Sequence, residues 1–140
     1  MILLDTNVIS EVMKPEPDVN VVEWLNAMAS DSLFVSSVTI AEVHFGIELL
    51  PDGGRRIDLE SRFARLLSQG FEARILSFDA SAALIYGTLM AHRRSAGKPL
   101  ASLDGQIASI ARVNGFAVAT RNTSHFTDCG VELVNPFGES

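Results

Sequence analysis

Apolar residues along this chain follow two rhythms. Short runs rich in apolar side chains, Ile2-Leu3-Leu4, Leu33-Phe34-Val35-Ser36, Arg74-Ile75-Leu76-Ser77-Phe78, Phe116-Ala117-Val118-Ala119 and Val131-Glu132-Leu133-Val134, read as buried strands. Between them lie longer stretches that read as helices. Thr6 to Met13 is stopped by Pro15-Glu16-Pro17, and a second helix, capped by Asp18, carries Val21, Val22, Trp24, Leu25 and Met28. A third runs from Val38 to Leu50 and ends in Pro51-Asp52-Gly53-Gly54; a fourth, Arg55 to Gln69, aligns Leu59, Phe63, Leu66 and Leu67 before Gly70. Asp79 caps a helix of small residues from Ala80 to Ala96, closed by Gly97 and Pro99, and Ser102 to Asn114 forms a last helix ending at Gly115.

Short apolar strands alternating with helices predict an α/β fold, a mostly parallel sheet of four to five strands covered on both faces. With 140 residues, no internal repeat and no dividing linker, residues 1–140 are expected to form one domain. Hydrophobic residues at 47% and charged residues at 20% exclude global disorder. No run approaches the ~20 apolar residues of a spanning helix, so no membrane partner is expected. Asp5 and Glu11 stand where a signal peptide would need its apolar core, and Cys129, the single cysteine, can form no intramolecular disulfide; a reducing cytoplasm is the expected location.

The net charge of −6 is unevenly spread. Residues 1–52 hold nine acids against Lys14 alone, residues 53–98 hold eight bases against four acids, and residues 99–140 hold four acids against two bases. This argues against nucleic-acid binding through bulk positive charge but leaves room for a nuclease whose carboxylates are neutralised by metal.

Three of the acids stand out. Asp5 ends the first strand, at the carboxyl edge where open parallel sheets bind ligands, although a helix cap would also place it there. Glu42 shares its helix face with Val38, Ala41, Phe45 and Leu49; the opposite face is apolar too, so the helix is expected to be buried nearly all round and Glu42 to need a proton, an ion-pair partner or a cation. Asp104 has Ile107, Ala108 and Ala111 on its face, and it also suits the first turn of a helix. Three inward acids repel unless a divalent cation holds them, and oxygen-only ligands suit Mg2+ or Mn2+. Zinc is disfavoured, because His44, His92 and His125 lack paired spacing. Thr120, Arg121 and Asn122 follow the fourth strand and offer oxygens and a cation to a phosphate, or serve as turn caps. Arg62, four residues after Asp58, and Arg93, Arg94 and Lys98 at a helix C-terminus have structural explanations, with a polynucleotide groove as the alternative.

Ile2-Leu3-Leu4-Asp5-Thr6-Asn7, Thr39-Ile40-Ala41-Glu42, Leu103-Asp104-Gly105-Gln106-Ile107-Ala108, Ala119-Thr120-Arg121-Asn122 and the closing Asn135-Pro136-Phe137 together resemble the PIN-domain ribonucleases, in particular the VapC/FitB-type toxins of bacterial type II toxin–antitoxin pairs. The resemblance implies a three-layer α/β/α PIN-like fold in which Asp5, Glu42 and Asp104 hold Mg2+, or Mn2+, and an activated water cleaves RNA phosphodiesters. Asn122 joins the catalytic set at a position where relatives often carry a fourth acid, and Thr6, Asn7, Thr120 and Arg121 become candidate contacts to substrate phosphate. It further implies a homodimer and a small antitoxin of the VapB/FitA kind whose tail covers the groove, with DNA contacted only through that antitoxin.

Other readings fit less well. An aspartyl-phosphate phosphatase wants Asp-x-Asp where this chain has Asp5-Thr6-Asn7; a phosphorylation receiver wants a late lysine where it has Arg121; and no Gly-x-Gly-x-x-Gly follows a strand. The alternative of another class is a catalytically weak PIN-fold module that binds RNA or a protein partner without cutting, which the amide at Asn122 favours.

Overall fold

The computed structural model describes residues 1–138. Residues 139 and 140, the end of the expected domain, lie outside the described residues. The strands are β1 (Ile2–Leu4), β2 (Leu33–Ser36), β3 (Ile75–Leu76), β4 (Ala117–Ala119) and β5 (Leu133–Val134). The helices are α1 (Thr6–Val12), α2 (Val19–Ala27), α3 (Ser37–Glu48), α4 (Gly54–Arg65), α5 (Ala80–Ser95) and α6 (Ser102–Asn114). A π-helical turn, Leu66–Gly70, extends α4, and single 3-10 turns at Ser30–Ser32 and Thr123–Phe126 lead into β2 and out of β4.

The strands form one sheet in the order β3-β2-β1-β4-β5, with every ladder parallel. Alternation along β1 sorts the two layers: Ile2 and Leu4 join a core with Val8, Val21, Val43 and Phe63 from α1 to α4, while Leu3 faces Ile107, Ile110 and Leu89 from α5 and α6. Ala117 and Ala119 of β4 face the first layer and Val118 the second. This is the three-layer α/β/α arrangement expected from the alternation of elements.

Four of the six helices, α1, α2, α3 and α5, start where a short polar side chain takes up an orphan amide. Asp5 accepts from Thr6, Asp18 from Asn20, Ser36 from Thr39 and Asp79 from Ala82. Gly115 ends α6 with φ of 70°, a conformation that an L side chain resists.

Two expectations need correction. β3 and β5 are only two residues long, because flanking residues such as Phe78 and Val131 pack into the core without ladder bonds. Nor is α3 buried all round: Val43 and Ile47 face the core, whereas Phe45 is 63% and Leu49 69% exposed. Among the described residues no further layer covers that face, so apolar content on both sides of a helix does not mean burial on both.

β1 lies at the centre, and strand order reverses beside it. β2 and β3 build outward on one side, β4 and β5 on the other. Such a switch point parts the connections beyond the carboxyl ends of β1 and β4 and opens a crevice there.

Candidate functional site

The crevice is a cavity of about 430 Å³ lined by Asp5, Thr6, Asn7, Glu42, Asp104 and Asn122, with Ser10, Glu11, Lys14, Arg121 and Phe137 completing the wall. The parallel sheet explains how residues so far apart in sequence meet. Asp5 leaves the end of β1, and its N–H donates to the Ala119 carbonyl at 2.9 Å, locking it beside the end of β4. Glu42 comes from the second turn of α3, which follows β2 directly; Asp104 comes from the first turn of α6.

Asp5 is 4% exposed. Its Oδ1 accepts from the Thr6 N–H at 2.8 Å, and its Oδ2 accepts from the Thr120 hydroxyl at 2.8 Å and the Asn7 amide at 3.3 Å. It is therefore both a helix cap and a site residue. Burial pushes its carboxyl from 3.8 up to about 6; the Thr120 and Thr6 bonds oppose that rise, and the negative charges of Asp104 and Glu42 add to it. Asp5 thus feels the charge of both other acids.

Glu42 is half-buried and open to the cavity, in contrast to the expectation of little contact with water. Its Oε1 accepts from the Thr6 hydroxyl at 2.7 Å. Thr6 Oγ lies 3.1 Å from Thr39 Oγ, and the Ser36 hydroxyl reaches Thr39 Oγ at 3.4 Å. Ser36 and Thr39 are wholly buried, so a hydroxyl chain anchored in the β2–α3 junction fixes Glu42.

Asp104 lies within 3.6 Å of His125 Nδ1, an ion-pair distance. Burial raises its carboxyl above the usual carboxylate range, and the His125 contact holds it back. His125 is a neighbour that sequence spacing did not reveal, because the 3-10 turn after Asn122 brings it round. Thr120 is wholly buried; its hydroxyl donates to Asp5 and accepts from the Asn7 amide at 3.2 Å and the Asn122 N–H at 3.0 Å. Asn7 Oδ1 in turn accepts from the Arg121 N–H at 3.2 Å. The eight residues singled out from sequence therefore converge, Thr6, Asn7 and Thr120 by bonding to the acids or to each other. Ser10, Glu11, Lys14 and Phe137 join the wall although no sequence pattern marks them as site residues.

The donor set suits a hard divalent cation: the carboxylates of Asp5, Glu42 and Asp104 and the Asn122 carbonyl line the cavity, and no thiolate does. Among the described residues, no three acids, histidines or cysteines stand close enough together to hold a metal ion as they are placed. Asp5, Glu42 and Asp104 face a shared space instead.

A second depression of about 360 Å³ adjoins the cavity across Ser10 and Lys14. Met13, Val43, Ile47, Leu50 and Leu59 make it largely apolar.

Comparison with known proteins agrees with this geometry. The PIN domain family profile matches residues 2–129. The chain is 42% identical to the VapC ribonuclease Y4jK of Sinorhizobium fredii over 98% of both chains, and 39% identical to Toxin FitB of Neisseria gonorrhoeae over 98% of this chain and 99% of that one. Among solved structures it is similar to FitAB bound to a DNA fragment, with a TM-score of 0.92, 38% identity, and 100% of this chain and 98% of the other covered. The central parallel sheet, the acids grouped at its switch point and these full-length matches lead to one assignment: the chain belongs to the PIN domain family.

Proposed function

We propose that this protein is a Mg2+-dependent endoribonuclease, the toxin of a type II toxin–antitoxin pair, with residues 1–140 acting as one cytoplasmic domain. The observation that carries this reading is the buried Asp5 facing the same cavity as Glu42 and Asp104, whose negative charges add to the cost of ionising it unless a cation joins them. The names of the relatives, a VapC ribonuclease and Toxin FitB, support the same activity.

Asp5, Glu42 and Asp104 would hold the metal, with Asn122 offering a neutral oxygen or orienting water. Mg2+ or Mn2+ at that position supplies a nucleophilic water near neutral pH and offsets charge developing on the phosphate. Thr120 keeps the Asp5 carboxylate turned toward the cavity, and Thr6 does the same for Glu42. The role assigned to Thr6 is positioning, since its hydroxyl is engaged by Glu42 rather than open to a phosphate. Arg121 remains a candidate phosphate contact on the cavity wall.

The neighbouring apolar depression suits the tail of a small antitoxin, the partner that accompanies FitB in the FitAB structure. A basic side chain on that tail would find the acid cavity a favourable receptor. DNA would then be reached through the antitoxin. The exposed Phe45 and Leu49 support a homodimer through α3.

The test is cleavage of a mixed RNA panel by the protein and by Asp5→Asn, with and without EDTA. Loss of a ligand should cost more than loss of an outer hydrogen-bond partner, so Asp5→Asn should fall by more than about 100-fold, and EDTA should abolish cleavage. Equal cleavage by both proteins, or indifference to EDTA, would refute the metal-nuclease reading. Tight partner binding with no cleavage at all would favour a non-cutting module.

A further inference from the structure

The cavity carries a feature that metal binding leaves unexplained. Residues 1–52 contain a single base, Lys14, and residues 99–140 contain only Arg112 and Arg121. Lys14 and Arg121 come from these acidic segments, yet both line the cavity that holds the acids. Isolated cations scattered at random on two acidic stretches would not be expected to meet there.

Both are held in place. Lys14 Nζ donates to Glu11 Oε1 at 2.9 Å, while Glu11 Oε2 accepts the Asp18 N–H at 2.9 Å and so ties the end of α1 to the start of α2. The Lys14 bond, more than the nearby Arg121 charge, keeps the Glu11 carboxyl below the usual carboxylate range, which places all three on one wall. Arg121 is fixed through its backbone N–H on Asn7 and through its guanidinium, 4.7 Å above the Phe137 ring. Lys14 uses one of three donors on Glu11 and keeps 58% of its side chain exposed.

Single-stranded RNA brings a charge with every nucleotide, and a metal at the acids offsets the charge of the scissile phosphate alone. The adjoining phosphate would otherwise meet a wall of carboxylates. A cavity of about 430 Å³ has room for more than one hydrated ion. We propose that Lys14 and Arg121 form a cationic subsite for the phosphate next to the scissile one in a single-stranded RNA. Lys14 also lines the adjoining depression, so the strand leaves the cavity over α1.

This rests on the nuclease reading for its substrate, but it is tested without cleavage. A labelled short single-stranded RNA is titrated with protein in EDTA by fluorescence anisotropy, over KCl from about 50 to 200 mM. Lys14→Gln and Arg121→Gln should each lower the slope of log affinity against log salt by about 0.7 and weaken binding about five- to tenfold at low salt. Arg94→Gln, an equal charge change at the exposed end of α5, should leave the slope unaltered. Unchanged slopes in the cavity variants, an equal change in Arg94→Gln, or no measurable binding at the lowest salt would each overturn the subsite. Cleavage of the same RNA after Mg2+ is added reports separately on the nuclease reading.

Discussion

Asp5 does several things with one carboxylate. It caps α1, accepts from the side chains of Thr120 and Asn7, and faces two other acids while almost wholly buried. The outcome for the metal-free protein follows from its raised carboxyl, about 6 in the folded chain against 3.8 unfolded. A carboxyl raised on folding penalises the native state when ionised, so the penalty is absent below about pH 4 and complete only above about pH 6. In EDTA near pH 7.5, Asp5→Asn should therefore be more stable than the parent by up to about 3 kcal/mol, with the difference closing as pH falls toward 4. Urea unfolding at the two pH values checks this, and a variant less stable at both would contradict it. Asp5 alone reads equally well as a helix cap; it stands out in the sequence because it ends a strand at the carboxyl edge and two further acids, Glu42 and Asp104, sit on inward helix faces. Thr6 and Thr120 were legible as polar residues at the sheet edge, but not which group each hydroxyl would find, because that depends on α3 and β4 meeting β1. His125 was missed for the same reason: no helical period connects it to Asp104.

At the scale of elements, most boundaries were readable because each carries its own local chemistry. Asp18 and Asp79 announced helix starts, and Gly115 an end, through bonds and dihedrals that need no tertiary contact. The lengths of β3 and β5 were not readable, since pairing is decided by the neighbouring strand rather than by the apolar run itself. The exposed side of α3 escaped for a related reason, as composition cannot say how many layers will arrive to cover a helix. The α5–α6 pair shows how closely two elements can depend on one residue. A methyl group at Gly105 would sit 2.6 Å from Met90 Sδ and 3.1 Å from a Tyr86 ring carbon. Gly105→Ala should cost about 1–3 kcal/mol, at the lower end if the flexible Met90 side chain turns aside. Gly105→Ala combined with Met90→Ala should recover part of the Gly105→Ala loss, and denaturant midpoints for both variants decide the matter.

For the molecule as a whole, the exposed pair Phe45 and Leu49 lies on the same helix as Glu42, facing away from the core residues Val43 and Ile47. If a second copy covers that face, placing a charge there breaks the assembly while leaving the fold intact. Phe45→Asp with Leu49→Asp should shift the mass measured by light scattering from dimer to monomer with an unchanged circular dichroism spectrum; a dimer that persists would place the contact elsewhere. The division of charge along the chain also becomes intelligible at this scale. The acidic opening segment supplies Asp5 and Glu42 to the cavity, yet its single base, Lys14, lines the same wall, a coincidence visible only once the chain is folded.

The position of β1 has a consequence for synthesis of the protein. Asp5 is made early, but its backbone is clasped by Ala119 and its carboxylate by Thr120, residues translated more than a hundred positions later. Until the ribosome has delivered β4, the central strand lacks one of its two neighbours and the acids have no common crevice. A nascent or prematurely released chain ending before that point therefore lacks the assembled crevice, and whatever the three acids do together begins only with the nearly finished polypeptide.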